Sequence, residues 1–187
     1  DLGVEEHHLR SDADDLHPIT LVWDLIKTKG WDNKTIAIDM DSDYCRARSV
    51  FELQKNLPNI NLINDNHLIN WVRTIKSKNE LEYIRKASII ADNVMFAALS
   101  RIGLDISQGD VASSISKTQA KYGTYTAIAP MIMTNELAAH MNWQPEYKFK
   151  SGDITCFELA AAYRHYHCPI ARTCFTGNVS DIPNEVL

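Results

Sequence analysis

GDITCFELAAAYRHYHCPIARTCFTG, residues 152–177, decides the fold. From Thr155 the residues are β-prone and alternate in character, and the stretch predicts a β-hairpin with an acid, Glu158, at its centre. Glu158 lies between Phe157 and Leu159 and precedes Ala160, Ala161 and Ala162, so the sequence places a carboxylate in apolar surroundings beside room for a ligand. A carboxylate taken out of water is stable when it is paired, binds a metal or is used in chemistry. The return strand passes Pro169 and reaches Arg172-Thr173. The residues alone leave two readings open: a functional carboxylate, or a structural Glu158–Arg172 pair across the sheet.

The hairpin resembles the second-domain hairpin of the pita-bread superfamily: methionine aminopeptidase, prolidase, aminopeptidase P, creatinase and ectoine hydrolase. That pattern runs Gly-Asp, four residues, Asp, a Tyr-rich turn, a second Asp, then Thr-Arg-Thr before a Gly. Gly152-Asp153 opens it here, Tyr163 and Tyr166 fill the turn, and Ala171-Arg172-Thr173 closes it. The resemblance implies that Glu158 replaces the first metal-binding Asp and Pro169 the second. Proline offers a metal no donor atom.

Upstream residues agree. Val72-Arg73-Thr74-Ile75-Lys76-Ser77-Lys78-Asn79-Glu80 is similar to the superfamily's entry into its second domain, an Arg-x-Ile-Lys-Ser-x-x-Glu run before a long helix. The residues support this independently. Ser77-x-x-Glu80 is a capping box, Leu81, Ile84, Ala87, Ala91, Met95, Ala98 and Ile102 follow at helical spacing, and Gly103 is a stop signal. Ala127 to Thr134 with His140 resemble the segment that presents the superfamily's active-site His.

The expected fold class is α/β (α+β). Residues 1–66 form the C-terminal part of a creatinase-type α/β N-terminal domain, and 67–187 form the first half of a pita-bread domain with long helices and an antiparallel sheet. Expected elements are helices at Leu21–Lys29 and Tyr44–Asn56, strands at Thr35–Met40 and Ile60–Ile63, and a short helix within Asn64–Arg73. The long helix follows, then a helix from Gln108 to Tyr122, a strand at Thr126–Met133 and a loop through His140. Against the resemblance the chain reads as a fragment, with the relatives' further His and two Glu falling beyond it.

With 45% hydrophobic residues in 187, the chain has enough apolar content for a core. A net charge of −5 with scattered Lys and Arg excludes a nucleic-acid binder. No apolar window reaches the roughly 18 residues of a membrane span. The expected location is the cytoplasm. Cys45, Cys156, Cys168 and Cys174 lack zinc-site spacing and are expected to be free thiols.

The resemblance, with Pro169 at a ligand position, implies the metal-free branch of the superfamily. The expected activity is an ectoine hydrolase-like opening of a small C–N compound, with Glu158 and His140 catalytic, Tyr166 and Arg172 binding substrate, and no metal or other cofactor. The expected partners are a small zwitterionic substrate and a second copy of the chain in a homodimer. The alternatives are an Xaa-Pro metallopeptidase using Mn or Zn, a creatinase-like amidinohydrolase, a metal-dependent lyase acting on a zwitterion, and a non-catalytic peptide-binding module. His165 and His167, two apart, read as a metal pair or as solvated turn residues, the latter favoured; His7-His8 read as a surface segment.

Overall fold

A computed structural model describes residues 19–125, 128–140 (His140 by its backbone alone) and 143–178. Its contacts divide the chain into two units, 1–75 and 76–187. The division falls at Ile75/Lys76, after the short helix expected within Asn64–Arg73.

In the first unit, β1 (Thr35–Ile38) and β2 (Asn61–Asn64) pair in parallel, Thr35 opposite Asn61 and Ile38 opposite Asn64. Parallel neighbours need a crossover, supplied by α2 (Ala47–Asn56). Ile26 of α1 (Thr20–Thr28), Leu53 and Leu57 form the buried core, with Trp23, Ile38 and Leu62 packed on it. Helix α2 starts three residues later than the sequence suggests. The Ser42 hydroxyl accepts a hydrogen bond from Tyr44 N at 3.2 Å, holding a turn that competes with the helix, and Tyr44 is 94% exposed. The helix α3 (Leu68–Thr74) follows β2.

The second unit begins at the capping box. Ser77 N donates to Glu80 Oε2 at 2.6 Å and Glu80 N donates to Ser77 Oγ, starting α4 (Lys78–Arg101). Helix α4 buries Ala87, Ile90, Ala91, Val94, Met95 and Ala98 on one stripe. Helix α5 (Gln108–Lys121) opens with a second box, Ser107/Asp110. The sheet has the order β3-β4-β5 and is antiparallel throughout: β3 (Met131–Thr134), β4 (Ile154–Tyr163) and β5 (Tyr166–Phe175). Strand β3 begins at Met131; residues 128–130 of the expected Thr126–Met133 strand fall before it, and residues 126–127 lie outside the described set. Pro130 immediately precedes β3, and a residue without an N–H cannot donate to the ladder. Between β3 and β4, the expected loop contains a 3₁₀ segment, Asn135–His140.

Side chains alternate across β4. Phe157, Leu159 and Ala161 join the core with α4 and α5, which also takes in Ile132 and Phe149. Burial of a residue such as Phe157 or Leu159 contributes roughly 1.5–3 kcal/mol. The intervening Cys156, Glu158, Ala160 and Ala162 occupy the other face. No described helix is long and apolar enough to cross a membrane.

Candidate functional site

Register decides which side chains share a face with Glu158. Directly opposed residues in an antiparallel pair point the same way. Glu158 stands opposite Ala171 on β5 and Met131 on β3, Cys156 opposite Thr173, Ala160 opposite Pro169, and Ala162 opposite His167. Glu158 is half-buried, the alanines beside it are small and buried, and Pro169 lies diagonally across from it.

Arg172 stands opposite Phe157 and Tyr166 opposite Tyr163, both on the helix-bearing face. The structural Glu158–Arg172 pair therefore does not form; Arg172 Nη1 donates to Ala171 O at 2.7 Å. Nor do the two residues expected to bind substrate converge on Glu158. The Tyr166 hydroxyl donates to Glu80 Oε1 at 2.9 Å, and its ring lies 5.6 Å from that of Tyr83. This bond ties the hairpin tip to the start of α4. The Glu80 carboxyl is held at about 2, first by the Ser77 backbone and hydroxyl and then by Tyr166.

His140 closes the 3₁₀ segment, and its side chain lies outside the described residues. Two polar clusters hold the chain on either side of it. Asp153, 4% exposed, accepts hydrogen bonds from Asn135 Nδ2, Tyr147 Oη and Lys150 N, each at 2.8 Å. Asn135 also accepts from Ile154 N at 2.9 Å, and its φ of 47° is left-handed, a region Asn tolerates better than most residues. Burial, then the bond to Asp153, pushes the Tyr147 hydroxyl up to about 12. Gln108, fully buried, donates to Ile132 O and to Thr134 Oγ1, and accepts from Gln144 N at 2.7 Å. In the sequence Asp153 reads only as part of the hairpin's opening and Gln108 as a helix start, and neither they nor Asn135 and Tyr147 carry a site role there. A Gly-Asp pair ahead of a strand and an Asn directly after one were the available signals.

At the hairpin tip, Arg164 (φ 48°) and His165 (φ 68°) make a tight turn between Tyr163 and Tyr166. Tyr125 Oη and His165 Nδ1 share a 3.0 Å hydrogen bond, and the His167 ring stands edge-on to Tyr125 at 6.4 Å. A cleft of about 220 Å³ lies beside them, lined by Tyr122, Tyr125, Ala162, Arg164 and His165 among others. Among the described residues, one set of three metal-ligand-type side chains converges: Asp39, Asp41 and His67, in the first unit. It includes neither His165 nor Glu158. His7-His8 lie outside the described residues. All four cysteines are free, and burial raises the thiols of Cys168 and Cys174, the latter to about 11.

Similarity to known proteins extends over most of the chain. The model of metallopeptidase family M24 matches residues 82–186. An ectoine hydrolase from Halomonas elongata is 32% identical over 176 residues, covering 87% of this chain and 44% of that protein. An Xaa-Pro dipeptidase from Pyrococcus furiosus is 27% identical over 158 residues, covering 82% and 44%. The crystal structure of a dipeptidase from Pyrococcus horikoshii superimposes with a TM-score of 0.75 at 24% identity, covering 92% of this chain and 47% of that one. The chain thus spans less than half the length of these relatives.

Proposed function

Because the chain belongs to metallopeptidase family M24, we propose that the protein carrying it is a hydrolase of a small zwitterionic C–N compound, ectoine or a close analogue. The observation that carries this reading is the register around Glu158. A two-metal centre of the kind the family name implies draws on several converging carboxylates. On β5, the position sharing Glu158's face where the superfamily pattern has its second Asp is Pro169. The hairpin residues do not fit that centre.

The chemistry rests on Glu158 and His140. A Glu158 carboxylate oxygen adds to the amidine carbon of the substrate. Water, losing a proton to His140, displaces the carboxylate. The ring C–N bond opens as His140 returns that proton to the departing nitrogen. The hydroxyl closes to the amide carbonyl, its own proton passing to the freed amine, so that one water is added overall. Ala160 and Ala162 leave space on the same face for the substrate. Similarity to an ectoine hydrolase over most of the chain supports the substrate class.

The test is ectoine turnover and metal content of the full-length protein, wild type beside Glu158→Gln. Metal-independent turnover that falls by more than about 10³-fold in the variant is the expected result. Stoichiometric metal together with Xaa-Pro cleavage would overturn it in favour of the dipeptidase reading.

A further inference from the structure

We propose that Asn135 is a positioning residue: its side chain fixes the backbone that carries His140 against the strand that carries Glu158. This rests on the roles given above to those two residues. Asn135 is the first residue of the 3₁₀ segment that His140 ends. Its amide is gripped twice by the start of β4, Nδ2 donating to Asp153 Oδ1 at 2.8 Å and Oδ1 accepting from Ile154 N at 2.9 Å. Ile154 stands four residues before Glu158 on the same strand. One side chain therefore spans from the His140 segment to the Glu158 strand, and it uses both ends of its amide.

The grip is braced. Asp153 is buried and also held by Tyr147 Oη and Lys150 N, so the acceptor for Asn135 cannot swing away without leaving those donors unpaired. Backbone conformation explains why the residue is Asn. Its φ of 47° excludes most side chains at little cost only to Gly, Asn and Asp. Gly supplies no side chain, and Asp would set a second carboxylate against Asp153. Asn135 is itself exposed, so its side chain adds little to the core. A residue that is exposed overall and yet has both ends of its amide bonded fits a positioning role better than a packing role.

Asn135→Gly separates these effects, because Gly keeps the left-handed backbone and removes only the grip. In the full-length enzyme the variant is expected to lose about 10-fold or more in kcat on ectoine, since small misplacements of reacting groups are expensive. KM should stay within about twofold; the urea midpoint should fall, because Asp153 loses one of its three donors, and kcat is read in conditions where the variant is fully folded. Amide hydrogen exchange across 136–140 should quicken by at least about tenfold, a readout independent of turnover. His140→Asn, run in parallel, separates this inference from the reading beneath it. An inactive His140→Asn beside an Asn135→Gly with wild-type kcat and exchange would overturn the positioning role alone. A fully active His140→Asn would overturn the role of His140 and, with it, this inference.

Discussion

Tyr147 and Asp153 show how a single buried carboxylate shapes its surroundings. Asp153 accepts three short hydrogen bonds at 4% exposure, and Tyr147 remains protonated to about 12 because of burial and that bond. In the unfolded chain the phenol ionises near 10. Above about pH 10 the unfolded state sheds a proton that the folded state keeps until about pH 12, so stability falls with rising pH across that window. Cys174, raised to about 11 by burial, adds a similar loss that begins lower. Tyr147→Phe in the full-length protein should lower the unfolding free energy at pH 7, through the lost bond to Asp153, by about 1–3 kcal/mol, read by urea titration. It should also flatten the decline between pH 10 and 12; parallel pH curves for variant and wild type would refute the account. Residue-level contacts of this kind were scarcely legible in the sequence. The Glu158–Arg172 pair, one of the two readings the residues leave open for Glu158, is the clearest instance. Whether those residues share a face depends on the turn, and the turn is made by Arg164 and His165 in left-handed conformations that neither residue advertises. Once the turn is fixed there, Arg172 must stand opposite Phe157 and face away from Glu158.

Elements were more legible where their signals were local. The Ser77-x-x-Glu80 box lies within four residues and was readable as a helix start. The apolar stripe of α4 was readable by its period, and the hairpin by its alternation. Boundaries failed where a competing bond was hidden, as at the Ser42 turn before α2. They also failed where an N–H was missing, as at Pro130 before β3. The close approach of α5 to the segment after His140 was not readable at all. Gly109 N donates to Pro145 O at 3.1 Å, and a Cβ on Gly109 would meet that same oxygen at 3.0 Å. Gly109→Ala sets two effects against each other. Helix propensity gains up to about 1 kcal/mol, and overpacking costs roughly 1–3 kcal/mol. The oxygen belongs to backbone anchored at Gln144 by Gln108 and at Tyr147 by Asp153, so it has little freedom to retreat. A net destabilisation of about 1 kcal/mol is expected, read as a lower urea midpoint in the full-length protein. A midpoint above wild type would mean that this segment yields.

At the scale of the whole chain, two cores of unequal size are joined at Ile75/Lys76. The first unit buries Ile26, Leu53 and Leu57 while leaving Phe51, Ile69, Trp71 and Val72 more than half exposed. The second buries a larger set against α4 and α5, but among the described residues its sheet has β5 as an edge of ten residues. An edge of that length, with Arg172 its only Lys, Arg, Asp or Glu, is a template for pairing with another chain. Pro169 removes one donor from the edge without shortening it. Exposed aromatics on one unit and an open edge on the other give the 187-residue chain two routes to self-association. Produced alone at roughly 10 μM or above, it should scatter light as a dimer or larger species and bind a hydrophobic dye. Thr173→Lys places a charge on the edge at an exposed position, and it should reduce the scattering mass while leaving the dye signal from the first unit intact. A chain that stays monomeric over that concentration range would show that β5 is protected; equal association of Thr173→Lys and wild type would assign the contact to the apolar surface around Trp71 instead.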